Sequence, residues 1–181
     1  MEEHPLLPSL NLRSQYEAET SNWLNISNDV EKFLNLTLSL IHPDLFRLGL
    51  EILRKLRRLE GTKDISQKWQ SVYTGIAIIC NRVTPFHRDT KGKPEWFDIL
   101  LSYSEPGTSP VLSISDLGLD LDYSSGTVVG LCGSVLKHGV DSWGVGDRIC
   151  YAHFMRESVS RRMNVTPAGW VYKDKYIKVD Q

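Results

Sequence analysis

The stretch VLKHGVDSWGVGDRICYAHF, residues 135–154, contains the pattern that decides the fold. Its last seven residues, 148–154, are rich in β-branched and aromatic types, and they follow a Gly-rich turn at residues 144–147. Such a run after such a turn is typical of a short strand. Similar runs occur after Gly61 at residues 72–79, 96–103, 111–114 and 127–131. Several short strands separated by turns that contain glycine predict a β-sandwich or roll.

The chain before Gly61 has a helical pattern. Residues 28–40 carry apolar side chains at Val30, Phe33, Leu34, Leu36 and Leu38, which predict a short, mostly buried helix. After the break at His42-Pro43, apolar residues recur at spacings of three and four up to Gly61, which predicts an amphipathic helix. Two prolines among residues 1–27 favour an extended lead-in. We therefore predict one domain over residues 1–181, with a lead-in at 1–27, helical support at 28–61 and a strand-rich core at 62–181.

The composition is that of a globular protein. Hydrophobic residues make up 41% of the 181 residues and charged residues 24%, which excludes disorder as the main feature. The three cysteines, Cys80, Cys132 and Cys150, are too widely spaced for a zinc knuckle and predict a reduced, intracellular protein. No apolar run approaches the ~20 residues of a membrane span, so we expect no membrane partner.

The formal net charge of −1 argues against a nucleic-acid-binding protein at first sight. The charges are, however, unevenly distributed along the chain. Residues 105–136 contain four acidic residues and no lysine or arginine, whereas residues 82–93 contain four basic residues and one acidic residue. The neutral total therefore allows a basic surface on one side of the domain.

The segment His87-Arg88-Asp89 and the later His138 have the composition of a metal site. Residues two apart on an extended segment point the same way, so His87 and Asp89 can reach one metal ion. Two histidines and one carboxylate form the facial triad of non-haem Fe(II) enzymes. Arg148, ten residues after His138, could bind a carboxylate of 2-oxoglutarate through its planar guanidinium. Each motif alone is weak, and a lone histidine is more often structural than a ligand.

Residues 80–159 resemble the TET/JBP group of Fe(II)- and 2-oxoglutarate-dependent DNA dioxygenases, most closely the compact Tet-like proteins of fungi and protists. The resemblance implies an α+β fold with a double-stranded β-helix core, of the jelly-roll or cupin-like type, and supporting N-terminal helices. It also implies the cofactors Fe(II), 2-oxoglutarate and O2. The activity implied is oxidation of the methyl group of 5-methylcytosine in duplex DNA, to 5-hydroxymethylcytosine and further.

The resemblance also implies roles for individual residues. His87, Asp89 and His138 match the iron ligands, and Arg148 matches the arginine that binds the far carboxylate of 2-oxoglutarate. Arg82 matches an arginine near the oxalyl end of the cosubstrate. Cys150 stands where the family often has a serine that touches the same far carboxylate.

The residues that would contact the base depart from the family pattern. Phe154 matches the aromatic residue that stacks on the flipped base. Arg156 stands in place of a histidine, and Gly92 in place of an Asn or Asp, that contact the methylcytosine edge. Asp98 is a nearby acceptor for an exocyclic amine, although it could equally be a carboxylate at a strand end. These changes motivate the hypothesis that N6-methyladenine is also a substrate, with release of formaldehyde.

The predicted partner is duplex DNA that carries a methylated base, which predicts a nuclear protein, and we expect a monomer. Local basic clusters would contact the phosphates. The predicted backbone contacts are Arg88, Lys91, Lys93, Arg57, Arg58 and Lys68. The cations of the predicted helix before Gly61 could equally form a solvated face, since basic residues near a helix C-terminus suit the helix dipole.

Two alternative functions stay open at this point. The first is another 2-oxoglutarate enzyme, such as an AlkB-like repair demethylase or a hydroxylase of small molecules or peptides. The second is a catalytically inactive relative that only binds DNA. A kinase is excluded, because the position of the Asn that follows the His-Arg-Asp motif in kinases is occupied here by Pro94.

Overall fold

The computed structural model describes residues 6–12 and 17–172. These residues form two compact units. The first unit contains the chain up to Thr74 together with Ser158–Pro167, and the second contains Gly75–Glu157 together with residues 168–172. Within the described ranges, no helix is both long and apolar enough to cross a membrane.

The first unit is helical. Its helices are α1 (Glu17–Ile26), α2 (Asn28–Ile41), α3 (Pro43–Leu56) and α4 (Lys63–Lys68), and most of α5 (Glu157–Arg162) belongs to it. His42 separates α2 from α3 and is fully buried, and its Nδ1 accepts a hydrogen bond from the backbone N–H of Leu45. This bond satisfies one of the free N–H groups at the start of α3, where Pro43 takes the first position.

Three predictions about this part of the chain were wrong. The expected extended lead-in contains α1, whose apolar residues are too few to give a clear helical period, although Leu24 is buried. Helix α3 ends at Leu56 and not at Gly61, because Thr62 Oγ1 donates to the Leu56 carbonyl and closes a turn there. Helix α4 lies inside the region that was expected to be strand-rich.

The second unit contains all eight described strands. They are β1 (Gly75–Cys80), β2 (Thr84–His87), β3 (Asp98–Ser104), β4 (Val111–Ile114), β5 (Leu119–Asp122), β6 (Val128–Leu131), β7 (His138–Val140) and β8 (Arg148–Phe154). One sheet has the order β1-β8-β3-β6 and the other the order β2-β7-β4-β5, and all six pairings between these strands are antiparallel. Two four-stranded antiparallel sheets confirm the predicted fold class, an α+β chain with a double-stranded β-helix core.

The strands that sequence patterns missed are the short ones. β4 and β8 have the predicted bounds, whereas β2, β5 and β7 were not predicted. β2 contains Pro85 and β7 contains Gly139, and both residue types are depleted in strands. β1 begins at Gly75, three residues later than expected, because Val72 and Tyr73 are buried in the core before the strand starts.

The strands of the second unit enclose a cavity of about 380 Å³. Alternate residues of a strand point to the same face of a sheet. Along β8 the alternate residues that line the cavity from one end to the other are Arg148, Cys150, Ala152 and Phe154, and His153 lines it as well. Beside them lies an apolar core that includes Leu100, Leu112, Tyr123, Leu131 and Val140.

Candidate active site

His87, Asp89 and His138 lie together at the cavity. His87 ends β2 and His138 begins β7, and these two residues are opposite each other in the antiparallel pairing. Nε2 of His87 lies 3.7 Å from Oδ1 of Asp89, and Nε2 of His138 lies 3.8 Å from Oδ2 of the same carboxylate. The three ligand atoms lie within 4.8 Å of one another, so they could hold one metal ion.

Backbone carbonyls fix the two imidazole rings. Nδ1 of His87 lies 2.8 Å from the Pro85 carbonyl oxygen, and Nδ1 of His138 lies 2.9 Å from that of Leu136. A carbonyl only accepts hydrogen bonds, so each Nδ1 must donate. In the neutral ring the lone pair is then on Nε2, which faces the cluster and is the form that binds a metal.

Arg88 joins the two segments that carry these ligands. Its Nε donates to the Val135 carbonyl (2.8 Å), and its Nη2 lies 3.0 Å from both carboxylate oxygens of Asp116. Asp116 in turn accepts a hydrogen bond from the backbone N–H of Lys137 (2.6 Å), next to His138. This bond and the Arg88 guanidinium lower the pKa of Asp116. No local sequence pattern identifies Asp116, because it lies 28 residues from Arg88 in the chain.

Gly133 brings two carboxylates close together beside the histidines. Its carbonyl accepts a hydrogen bond from the Asp89 backbone N–H at 2.9 Å. A Cβ added at Gly133 would lie 2.6 Å from Asp89 Oδ2 and would also collide with Asp98 Oδ2. Asp98 is buried and lines the cavity. Its burial, and secondarily the neighbouring Asp89 charge, raises the pKa of Asp98 to about 7.

Arg148 provides a buried positive charge at the start of β8, where the row of cavity-lining residues on this strand begins. Only 1% of the residue is exposed, and its Nε and Nη1 donate to no acceptor within the described part of the chain. A buried charge is expensive unless it is paired and hydrogen-bonded. A ligand with a carboxylate therefore suits this guanidinium, since a carboxylate supplies the acceptors that the buried N–H groups lack.

Tyr123 and Cys150 lie beside that guanidinium. Cζ of Arg148 is 5.4 Å from the centre of the Tyr123 ring, and Tyr123 Oη is 3.3 Å from Cys150 Sγ. Burial raises the pKa of both the phenol and the thiol, so both are neutral near pH 7. Tyr123 was missed in the sequence because it follows β5 in a loop, where an aromatic residue carries no specific signal.

Phe154 lies at the end of β8 opposite Arg148 and is the last residue of this strand that lines the cavity. It pairs with Gly75 across the sheet, and a Cβ added at Gly75 would lie 2.5 Å from the ring atom Cε2. Cζ of Arg156 lies over the ring, 4.7 Å from its centre. Both residues line the cavity.

The remaining predicted residues fall into two groups. Arg82, Lys91 and Gly92 line the cavity, and among the described residues no atom lies within 4 Å of a Cβ added at Gly92. Lys93 pairs with Glu157 at 3.5 Å and is absent from the lining.

The basic residues before Gly75 belong to the helical unit. Arg57 donates to the Ser66 and Trp69 carbonyls, and Lys68 donates to Ser21 Oγ at 3.1 Å, whereas Arg58 is exposed. Their predicted contact with phosphates stays a prediction, as does that of Arg88.

Two four-stranded antiparallel sheets with a cluster of two histidines and one carboxylate are the architecture of the 2-oxoglutarate- and Fe(II)-dependent dioxygenases. The chain matches the Tet_JBP family, the oxygenase domain of the 2OGFeDO superfamily, over residues 7–157. It therefore belongs to this family. Membership implies Fe(II), 2-oxoglutarate and O2, and the donor atoms of His87, Asp89 and His138 together with the buried guanidinium of Arg148 fit the metal and the dicarboxylate.

A solved structure, NgTET1 in complex with 5mC DNA, has a similar fold. The TM-score is 0.61 at 14% sequence identity, and the alignment covers 85% of this chain and 56% of NgTET1. The chain thus spans little more than half of the length of that protein. No sequence among the curated proteins matches the chain.

Proposed function

We propose that this domain oxidises the methyl group of methylated bases in duplex DNA. The observation that carries the proposal is that one cavity is lined by the metal-ligand cluster, by the buried Arg148 and by Phe154. These three features would serve the metal, the cosubstrate and the base, respectively. The similarity to NgTET1, whose complex contains 5mC DNA, supports 5-methylcytosine as a substrate.

The residues divide the work of binding the cofactors. His87, Asp89 and His138 would hold Fe(II) through two imidazole nitrogens and one carboxylate oxygen, which leaves positions open for 2-oxoglutarate and O2. When bound, Fe(II) with 2-oxoglutarate and O2 supplies the oxidant for the methyl C–H bond and yields succinate and CO2. The sheets exclude bulk water from the inner part of the cavity, since Arg148 and Tyr123 are almost completely buried.

Arg148 would orient the cosubstrate. Its guanidinium would donate to the far carboxylate, and the Tyr123 hydroxyl could donate to the same group in place of the serine that Cys150 replaces. The Cys150 thiol is a weak donor that already contacts Tyr123. Arg82, which lines the cavity, would act near the oxalyl end.

The base would enter the cavity after leaving the duplex stack. Flipping costs a few kcal/mol, and stacking on an aromatic ring contributes about 1–3 kcal/mol per base. Phe154 is the aromatic residue of the cavity that is suited to this contact, because it is half-buried and Gly75 fixes the position of its ring.

The cavity also suits the amine of N6-methyladenine. Asp98 is a buried carboxyl beside Asp89, and in its ionised form it could accept a hydrogen bond from the exocyclic N–H. Gly92 leaves open space at the cavity, which would accommodate the larger purine. Oxidation of a methyl group on nitrogen gives a hemiaminal that releases formaldehyde, so the same reaction would demethylate adenine.

Cationic side chains at the cavity would contact the phosphates. Lys91 lines it, and Arg88 and Lys93 flank the metal ligands in the chain. Because phosphate contacts release counterions, DNA binding should weaken steeply with salt. We further propose that the protein acts as a monomer and, since the proposed substrate is DNA, in the nucleus.

The proposed function is tested by incubating the Fe(II)-loaded protein with 2-oxoglutarate and duplexes that contain either 5-methylcytosine or N6-methyladenine. Modified nucleosides are then quantified by mass spectrometry, with His87→Ala as the control. We expect 5-hydroxymethylcytosine from the first duplex and loss of N6-methyladenine from the second. Product from the first duplex alone would refute the adenine activity. Succinate release with a non-DNA substrate alone would instead favour another 2-oxoglutarate hydroxylase.

A further inference from the structure

We propose that Arg156 covers the stacking face of Phe154 in the free protein and that a flipped base must displace the guanidinium. Arg156 would then determine how tightly a base is held, rather than only contact its edge. The exchange with a base rests on the proposed function, whereas the cover itself is a property of the free protein.

The guanidinium of Arg156 lies over the Phe154 ring. Cζ of Arg156 lies 4.7 Å from the centre of the Phe154 ring and over it. This distance is within the range of about 6 Å in which a cation is attracted to the face of an aromatic ring. A flipped base would stack on a face of the same ring. The guanidinium and the base therefore compete for one surface.

The Phe154 ring cannot move toward β1. Phe154 lies opposite Gly75 in the pairing of β8 with β1. The ring atoms Cε2 and Cζ occupy the space of a Gly75 side chain, only 2.5 and 2.6 Å from a Cβ added there. A base that stacks on the face covered by Arg156 therefore gains no room from a shift of the ring toward β1.

Strand pairing ends before Arg156. The residue lies just after the end of β8, beyond the last paired residue of the sheet, and its long side chain is half-buried at the cavity. The exchange would replace the cation–π contact of this side chain by stacking of the base.

The cover has a consequence for substrate selection. The net binding free energy of a base is the gain from its contacts in the cavity less the cost of displacing Arg156. A base that stacks on Phe154 but makes no further contact, for instance with Asp98, would be held weakly. Arg156 would therefore lower the affinity for every base that stacks on Phe154, so that only a base with further contacts in the cavity is held tightly.

The cover is tested first in the free protein with 4-fluorophenylalanine in place of Phe154 and ¹⁹F NMR. Arg156→Ala should shift the resonance, because it removes a charge 4.7 Å from the ring centre. Arg47→Ala is the matched control, since it removes the same charge from an exposed side chain that pairs with Asp44. An unchanged resonance in Arg156→Ala would overturn the cover.

The exchange is tested by titrating the same labelled proteins, loaded with Fe(II) and 2-oxoglutarate without O2, with a methylated duplex. We expect Arg156→Ala to bind the flipped base about 3- to 10-fold more tightly than Arg47→Ala, which has the same net charge. Equal or weaker binding by Arg156→Ala would overturn the exchange. If no duplex perturbs the resonance in any of the proteins, the exchange and the proposed function both fail, whereas the ¹⁹F shift of the free protein still decides the cover.

Discussion

The two ends of the cavity lining on β8 differ in how strictly they are built. At one end Arg148 is 1% exposed and Tyr123 is fully buried, so the groups that would bind the cosubstrate are held in a dry, close-packed environment. At the other end Phe154 and Arg156 are half-exposed, and Gly92 leaves open space. Binding of the cosubstrate does not depend on the base and requires the buried arrangement at Arg148. The more open arrangement at Phe154 allows the choice of base to vary.

The largest effect is expected at the buried end. Arg148→Ala should raise the KM for 2-oxoglutarate by roughly 30- to 5000-fold, because the loss of one partner of a buried charge pair costs about 2–5 kcal/mol. The measurement is succinate formation as a function of 2-oxoglutarate concentration. Arg148→Lys should recover part of the loss. An unchanged KM in Arg148→Ala would show that the cosubstrate binds elsewhere.

The next effect concerns the link between the two ligand segments. Arg88→Ala should lower the affinity for Fe(II) by about 10- to 100-fold, which is typical when a residue that orients metal ligands is lost. The reason is that Arg88 ties the segment of His87 and Asp89 to Asp116 and Val135. Metal titration of the purified protein gives the affinity, and Lys93→Ala is the control. If both variants bind metal equally well, Arg88 has no positioning role.

Disruption of the open end should separate DNA oxidation from cosubstrate decay. Phe154→Ala should lower turnover of a methylated duplex by about 5- to 100-fold, since stacking contributes about 1–3 kcal/mol, and leave the decay of 2-oxoglutarate without DNA unchanged. Gly75→Ala should have the same selectivity, because its Cβ would displace the ring. Equal loss of both activities would mean that Phe154 only supports the core.

The smallest effect is a pH dependence of the metal-free protein. The pKa of Asp98 is raised to about 7 in the folded state, above the value of about 3.9 that a free Asp has. Folding therefore takes up a proton between these values, and stability falls as the pH rises from about 4 to about 7. Thermal unfolding should show a Tm that decreases over this window, by about 2–4 °C per kcal/mol. Asp98→Asn should flatten the decrease, and an equally steep decrease in that variant would assign it to other groups.

The sequence could predict the features that have local patterns, but not those that depend on contacts between distant residues. The strands β4 and β8 have strong local patterns, and the spacing of His87, Asp89 and His138 carries the chemistry of the metal site, so both could be found by inspection. Asp116 and Tyr123 could not, because their roles come from strand pairing that brings distant residues together. The link from Arg88 to Asp116 spans 28 residues and leaves no local pattern.

Glycines provide a second example of this limit. Gly75 and Gly133 have no recognisable motif around them, but the structure explains both by close approach. Gly75 accommodates the Phe154 ring, and Gly133 accommodates the carboxylates of Asp89 and Asp98. The contact of Arg156 with Phe154 was equally hidden, since the resemblance suggested only a contact with the edge of the base.

The most direct test of the central claim is the ratio of succinate formed to bases oxidised in one reaction with a methylated duplex. If one cavity serves both the cosubstrate and the base, the wild-type protein should form, above the decay without DNA, about one succinate for each oxidation step at a methyl carbon, and His138→Ala should form neither product. Succinate formation that is independent of the duplex, with no oxidised base in the DNA, would contradict the account.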